Sequence, residues 1–576
     1  MYQNKYFVTK ISGTYAETLE AYGLAKILSR IFENNEIDNA NIKIKDEGPY
    51  YSVSSDISIN EEMVNNTHYF DAFPYIKTKE DKNKDLPGNV IDYEREKEIA
   101  SNFYKWAKGR SKEEIEKYEN KPPLDYDIIY NFGMKNNKEL YQKIHINMYK
   151  NREKFPQILK EILALYSAPI TNEEEVRKNL KKIGLILERN KDKVTAIQLL
   201  NPHQGKGANS LKSNSIRLNN LSSFWLREYL KIIGTYESMI IKDVKVSNKS
   251  WDTKFYVIDP FNIEYSWLSN IYREFKPHVG GNTPFKLDIL SILIYTKELI
   301  KHLSEYQNKK SHFLQRLKPK NIVQGFKTAY QKKMGQNKSI ANIGYLRLPE
   351  FIEISSYEEG QKWIDILDEH IGIIRHIDEN NSSTTSLLQH YRQFISTGDW
   401  DNFFDFYFDY ATLLMNDIEK RQMYLKAFTI KNLKEVFMTE KKLAPILESQ
   451  GFQNVARAIR NATIGAQYAK ARGDQRFDVH YGIAQDLKRK SPYKKDLVEY
   501  LSEFIALYNA ETARYVEHHS KEFKEGKVRA TVKTEDIKEV INLIDEYGSS
   551  VVGKLLAAYG YALERKEITS ENDEEK

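Results

Sequence analysis

The chain of 576 residues contains no cysteine. That single absence removes disulfides, thiolate zinc sites and thiol nucleophiles, and it fits a reducing compartment. Long apolar runs are missing too. None approaches the roughly 18 residues a membrane-spanning helix needs, and Met1–Lys10, MYQNKYFVTK, has no apolar signal-peptide stretch. The expectation is a cytoplasmic protein with no membrane partner. The usual catalytic signatures are also absent: there is no HExxH, no GxxxxGK[ST], no GxSxG, no GGDD and no adjacent His-Asp pair. The twelve histidines are scattered, and the neighbours His518 and His519 point to different faces of a helix. Asp365/Asp368 and Asp405/Asp409 are spaced to share a helix face and so to hold Mg2+, but 81 acids produce such spacings by chance. No enzyme, no cofactor and no metal is expected.

What is present is a folded chain. Apolar residues make up 41% and aromatics 12%, with 39 tyrosines, which excludes disorder despite a charged fraction of 29%. The length exceeds what one hydrophobic core organises, so two or three domains are expected. A net charge of +6 is mild, and any polyanion reading rests on where the charge sits.

It sits in two tracts. Asn454–Lys495 holds ten Lys/Arg against three acids, on helix-forming text broken only at Gly473 and Ser491-Pro492. Tyr306–Pro349 holds ten Lys/Arg and no Asp or Glu in 44 residues, with Phe313, Phe326, Tyr330 and Tyr345 interleaved. A solvated face mixes signs, whereas a surface that neutralises phosphates and releases their counterions does not. The first tract is also open to reading as a solvated helix face. The expected backbone-binding cations are Lys309, Lys310, Arg316, Lys318, Lys320, Lys327, Lys332 and Lys333 in the acid-free tract. In the other they are Arg457, Arg460, Lys470, Arg472, Arg476, Lys488, Arg489 and Lys490.

In chain order, Tyr2–Ser12 alternates like a strand, and a long apolar helix follows with Thr14 as N-cap and Glu17 closing a capping box. Ala40–Ile44 and Tyr50–Ile59 read as strands, Thr78–Asp85 as an exposed loop, and Ile91–Arg189 as mostly helical with breaks at Pro122-Pro123 and Phe155-Pro156. Ile197–Ser215, IQLLNPHQGKGANSLKSNS, is too rich in Gly and Asn to be a regular element. Its glycines allow close backbone approach, and its Lys and Asn offer donors to phosphates or base edges. Gly205, Lys206, Gly207, Asn209 and Lys212 are therefore candidate DNA-contacting residues, beside the plain reading of a surface loop. FWLREYLKIIGTYES reads as a helix and the text after it as strands. Beyond Glu350 only helical periodicity remains, as at Leu497, Tyr500, Leu501, Phe504 and Tyr508. The expected fold is α+β, a mixed α/β region over 1–349 followed by an all-α helical bundle over 350–576.

Several phrases, taken in order, resemble the large subunit of type I CRISPR interference complexes (Cascade), most like the I-A and I-B branches. They are GTYAETLEAYGLAKIL, NPHQGKGAN, FWLREYLKIIGTYES, LLQHYRQFISTGDWDNFFDF, and FDVHYGIAQDLKRK followed by EFIALYNAET. The similarity covers most of the chain. The lack of cysteine departs from members that carry paired CxxC zinc motifs. The resemblance implies a non-enzymatic protein that recognises the motif flanking a target (the PAM), helps open the duplex, stabilises the R-loop and recruits a helicase-nuclease. Its implied partners are the CRISPR RNA, target DNA and the backbone and other subunits of the complex, and its C-terminal bundle is expected to resemble the small subunit. In such complexes guide pairing reads sequence, which leaves the protein a short motif and the phosphate backbones. The competing expectations are a metal-dependent nuclease using scattered carboxylates and a general RNA-binding assembly protein.

Overall fold

A computed structural model describes residues 2–81, 89–170, 172–188, 191–204, 222–247, 250–310, 316–334, 337–474, 476–518 and 528–564. The fold is α+β, with mixed elements in the first part and helices in the second. It divides into two compact units, Met1–Pro284 with Lys318–Leu348, and Phe285–Leu317 with Pro349–Lys576. The long helix Pro284–Lys310 thus clusters, apart from its first residue, with the C-terminal unit rather than with the α/β part that precedes it.

The first unit is built on two four-stranded antiparallel sheets. One runs Lys5–Thr9, Tyr50–Ser55, Ile42–Asp46, Asn262–Glu264, and the other Asn337–Arg347, Val323–Met334, Ser250–Pro260, Met239–Ser247. Alternation explains the first sheet, since Tyr6, Val8, Ile42, Ile44, Tyr51 and Val53 all turn inward. The opening helix Ala16–Asn34 lies against the helix Trp225–Ser238. The approach is close because glycines meet backbone from both sides. A Cβ on Gly23 would stand 2.1 Å from the Leu230 carbonyl oxygen, and one on Gly234 2.0 Å from that of Leu19. The expected capping box is not formed. Tyr15 is the N-cap, and Glu17 instead accepts from the amide and hydroxyl of Ser12 at 2.9 and 2.8 Å. The helical pattern is interrupted at Phe155-Pro156 as expected: the helix Lys135–Lys150 has ended and Phe155–Leu165 starts there, because proline at the first turn forfeits no intrahelical bond.

The second unit is helical, with no strand among its described residues. Its core is aromatic. Phe394, Phe403, Phe406, Phe428 and Phe437 are all at most 1% exposed, and their rings meet edge-on or tilted at 4.8–6.2 Å. The turn between Ser382–Thr397 and Trp400–Glu419 follows from two residues: Gly398 takes φ +72° to end the first helix, and Asp399 accepts from the Asp401 amide to begin the second. Lys494–His518 buries Leu497, Leu501, Phe504 and Tyr508 of the expected stripe and half-buries Tyr500, with Ile505 and Thr512 buried beside them.

Candidate nucleic-acid interface

In the first unit the structure draws together three stretches far apart in sequence. The Tyr15 hydroxyl donates to the Leu199 carbonyl at 3.0 Å, and Thr14 Oγ1 lies 3.4 Å from His203 Nδ1. The Ile340 amide donates to Gln198 Oε1 at 3.1 Å. The start of the opening helix, the stem Ile197–Gln204 and the last strand of the second sheet therefore share one neighbourhood. Asn201, fully buried, donates its amide nitrogen to both Glu228 oxygens at 3.2 and 3.0 Å, and its amide oxygen accepts from Lys231 Nζ at 2.6 Å. Lys231 also meets Glu228 at 2.8 Å and Glu20 at 3.5 Å, and Arg227 bridges Glu20 and Glu173 at 2.9 Å each. Burial pulls the Lys231 ammonium toward neutrality, but Glu228 and Glu20 outweigh it and hold its pKa above the usual lysine value. On the far side, Ser222–Phe224 pairs with Lys193–Thr195. The described residues before the glycine-rich text are thus anchored by buried polar bonds, and those after it by a short sheet. Its candidate residues Gly205, Lys206, Gly207, Asn209 and Lys212 lie outside the described residues.

The acid-free tract is divided between the units. Arg316 belongs to the second, where Glu353 lies 3.8 Å away, and the side chains of Lys309 and Lys310 lie outside the described residues. From Val323 the tract is an antiparallel hairpin, Val323–Met334 against Asn337–Arg347. Lys332 and Lys333 are exposed beside Met334 at its distal end, while Lys318 and Lys320 are half-buried around the turn Pro319–Asn321. Lys327 does not face solvent as expected. Its ammonium donates to the Tyr51 hydroxyl at 2.7 Å and to Thr18 Oγ1 at 3.2 Å, with Asp259 at 3.5 Å, because strand alternation turns it toward the first sheet. The interleaved aromatics are also partly structural. Phe326 is core, and Tyr330 donates to Asp252 at 2.7 Å.

In the second unit six of the expected cations fall on three helices, Gln450–Ala462, Ile464–Ala471 and Ile483–Lys490, while Arg472 and Arg476 lie in the connection after Ala471. The break between the first two, at Thr463, interrupts text that reads as continuous helix. The Thr463 hydroxyl donates to the Ile459 carbonyl at 2.7 Å and its backbone leaves the helical region. Arg457, Lys470 and Arg472 are exposed, and no acid pairs with them among the described residues. Arg460 is turned inward, against expectation: it donates to the Tyr559 carbonyl at 3.1 Å, reaches Glu564 at 3.6 Å, and is 9% exposed. Burial pulls its guanidinium below the usual arginine value. Arg476 is closed on Asp474 at 2.5 Å and Arg489 on Asp486 at 2.8 Å, so each brings an acid with it. Lys490 is half-buried, 5.7 Å from the Tyr500 ring.

Three of the four paired carboxylates meet a lysine. Asp409 and Asp405 share Lys488 at 3.1 and 3.9 Å, and Asp368 takes Lys297 at 2.6 Å. Among the described residues no group of three or more His, Asp or Glu is placed to hold a metal ion. No helix among them is long and apolar enough to cross a membrane. One exposed feature carries no sequence motif at all: the loop Lys420–Tyr424, KRQMY, entirely at the surface after the helix Trp400–Glu419. Its signal is too short to stand out, since Lys and Arg are common on every surface. No family model and no curated protein matches this chain.

Proposed function

We propose that this protein is a non-catalytic large subunit of a CRISPR RNA-guided surveillance complex, recognising the motif beside the target, helping to open the duplex, steadying the displaced strand and recruiting a helicase-nuclease. The observation that carries the reading is the meeting of GTYAET, NPHQ and the basic hairpin in one neighbourhood. Phrases that resemble a family only as separate text are here parts of one construction. A stem that leads into glycine-rich text and meets an acid-free hairpin suits a protein that reads one or two base pairs while holding phosphates. The nuclease alternative loses support at its own carboxylates, since Asp405 and Asp409 already share Lys488 and Asp368 takes Lys297. Within the complex the protein works in the cytoplasm alongside guide RNA and backbone subunits.

The test is complementation. A guide-loaded complex lacking this subunit should bind matched duplex poorly and without regard to the flanking motif. Adding the purified chain should restore motif-dependent binding. Binding that is as tight and as motif-selective without the chain would overturn the proposal.

A further inference from the structure

We propose that the loop Lys420–Tyr424, together with Tyr481, is a base-stacking platform for single-stranded nucleic acid. This rests on the reading above and names the chemistry of one contact within it.

Six consecutive residues, Glu419–Tyr424, are exposed at the end of a helix that elsewhere buries its aromatics. Tyr424 is 68% exposed and Met423 47%. The backbone on either side of them is tied down. The amides of Arg421 and Gln422 donate to the carbonyls of Ile418 and Asp417 at 3.0 and 3.1 Å, and the Leu425 amide donates to Asp417 Oδ2 at 3.0 Å. Asp417 and Leu425 are both buried, so the loop is closed onto one fixed carboxylate. Within that clasp Arg421 and Met423 hold φ of +54° and +51°, the left-handed region that side chains rarely adopt. Strain that persists because its surroundings over-determine it is characteristic of binding sites. Arg421 and, beside Met423, Tyr424 are both exposed there.

Tyr481, 49% exposed, stands beside this loop. Its hydroxyl lies 3.3 Å from Oε1 of Glu419 and 3.0 Å from Oε1 of Gln467, and it accepts from Lys470 Nζ at 3.4 Å. The bonds fix the ring by its polar edge, and the Lys470 ammonium lies 5.8 Å from its centroid. Tyr481, held at its hydroxyl with Lys470 over its ring, and Tyr424, exposed in the same loop as Lys420 and Arg421, match what a single strand offers: base faces for the rings and phosphates for the cations. A duplex hides its base faces, so the platform favours an unpaired strand.

The experiment compares a thymidine oligomer with an abasic oligomer of the same length, each titrated with the full chain. Replacing both Tyr424→Ala and Tyr481→Ala should weaken binding of the thymidine oligomer roughly ten- to hundredfold. The abasic oligomer should bind as before, and the double Tyr→Phe variant should bind both like the parent. Equal losses on the two oligomers, no loss on either, or failure of phenylalanine to restore binding would each overturn the platform. If the unaltered chain binds neither oligomer, the strand-holding part of the proposed function falls and the platform with it.

Discussion

Asn201 and Lys231 are joined inside the first unit by a 2.6 Å bond from ammonium to amide oxygen, and through it the stem of the glycine-rich segment is fastened to the helix Trp225–Ser238. Lys231→Met would keep the volume and remove the charge. It would leave Glu228, fully buried, without its cation and Asn201 with an unmatched oxygen. Breaking one partner of a buried pair costs about 3–5 kcal/mol. Urea unfolding should show a loss of that size, and a loss below about 1 kcal/mol, the scale of a surface pair, would mean the cluster is not a fastening.

A second prediction concerns the two glycines between the helices Ala16–Asn34 and Trp225–Ser238. On an exposed helix Gly→Ala stabilises by about 1 kcal/mol. At Gly23 the new methyl would meet the Leu230 carbonyl at 2.1 Å, so the helices must part. Gly23→Ala is expected to destabilise by roughly 1–3 kcal/mol, the usual cost of overpacking. A rise in the thermal midpoint would contradict the close approach.

His370 gives a pH dependence. It is buried in the second unit, with Nδ1 2.6 Å from the Tyr391 hydroxyl, and burial pushes its pKa down to about 3. Between about pH 6.5 and 3 the unfolded chain therefore binds a proton that the folded chain does not. The contribution is present in full above pH 6.5 and is lost as pH falls, by roughly 1.4 kcal/mol per unit. The comparison is with His370→Gln, which keeps a partner for Tyr391. The stability curves of the two proteins should converge with acidification, and parallel curves from pH 7 to 4 would show that His370 does not titrate in this way.

How far the sequence alone reveals all this depends on range. The helical second unit is legible because its signal is local: Leu497, Leu501, Phe504 and Tyr508 recur at helical spacing and are buried, and Tyr500 of the same stripe is half-buried. The sheets are legible as strands but not as partners. Asn262–Glu264 pairs with Ile42–Asp46, and nothing near either segment specifies the other. Charge is the least legible. Counting Lys/Arg places Arg457 and Arg460 in one class, whereas the structure exposes the first and buries the second against Tyr559. Lys327 and Lys332 differ in the same way, because which strand face is inside is settled by packing against residues hundreds of positions away. The glycine-rich segment is legible as irregular text, and its buried anchors become visible only once Glu228 and Lys231 are brought to Asn201.

That difference between exposed and inward cations yields the last prediction. Each cation that neutralises a phosphate contributes close to one unit to the slope of log affinity against log salt, about 0.9 for duplex and 0.7 for a single strand. Neutralising Arg457, Lys470 and Arg472 together should therefore flatten the slope by roughly two to three units, weakening all sequences alike. Lys332 and Lys333, exposed on the hairpin, should behave the same way toward duplex DNA. Arg460→Met and Lys327→Met should do the opposite. Their charges are held by Tyr559 and Glu564 in one case and by Tyr51 and Asp259 in the other, so removal should lower stability while leaving the slope nearly unchanged. A filter-binding titration over a range of salt separates the two groups. If the triple variant keeps the parent's slope, the bundle does not hold phosphates. If Arg460→Met and Lys327→Met flatten the slope as much as the exposed set does, the inward pairs open on binding and burial is no guide to the contact surface.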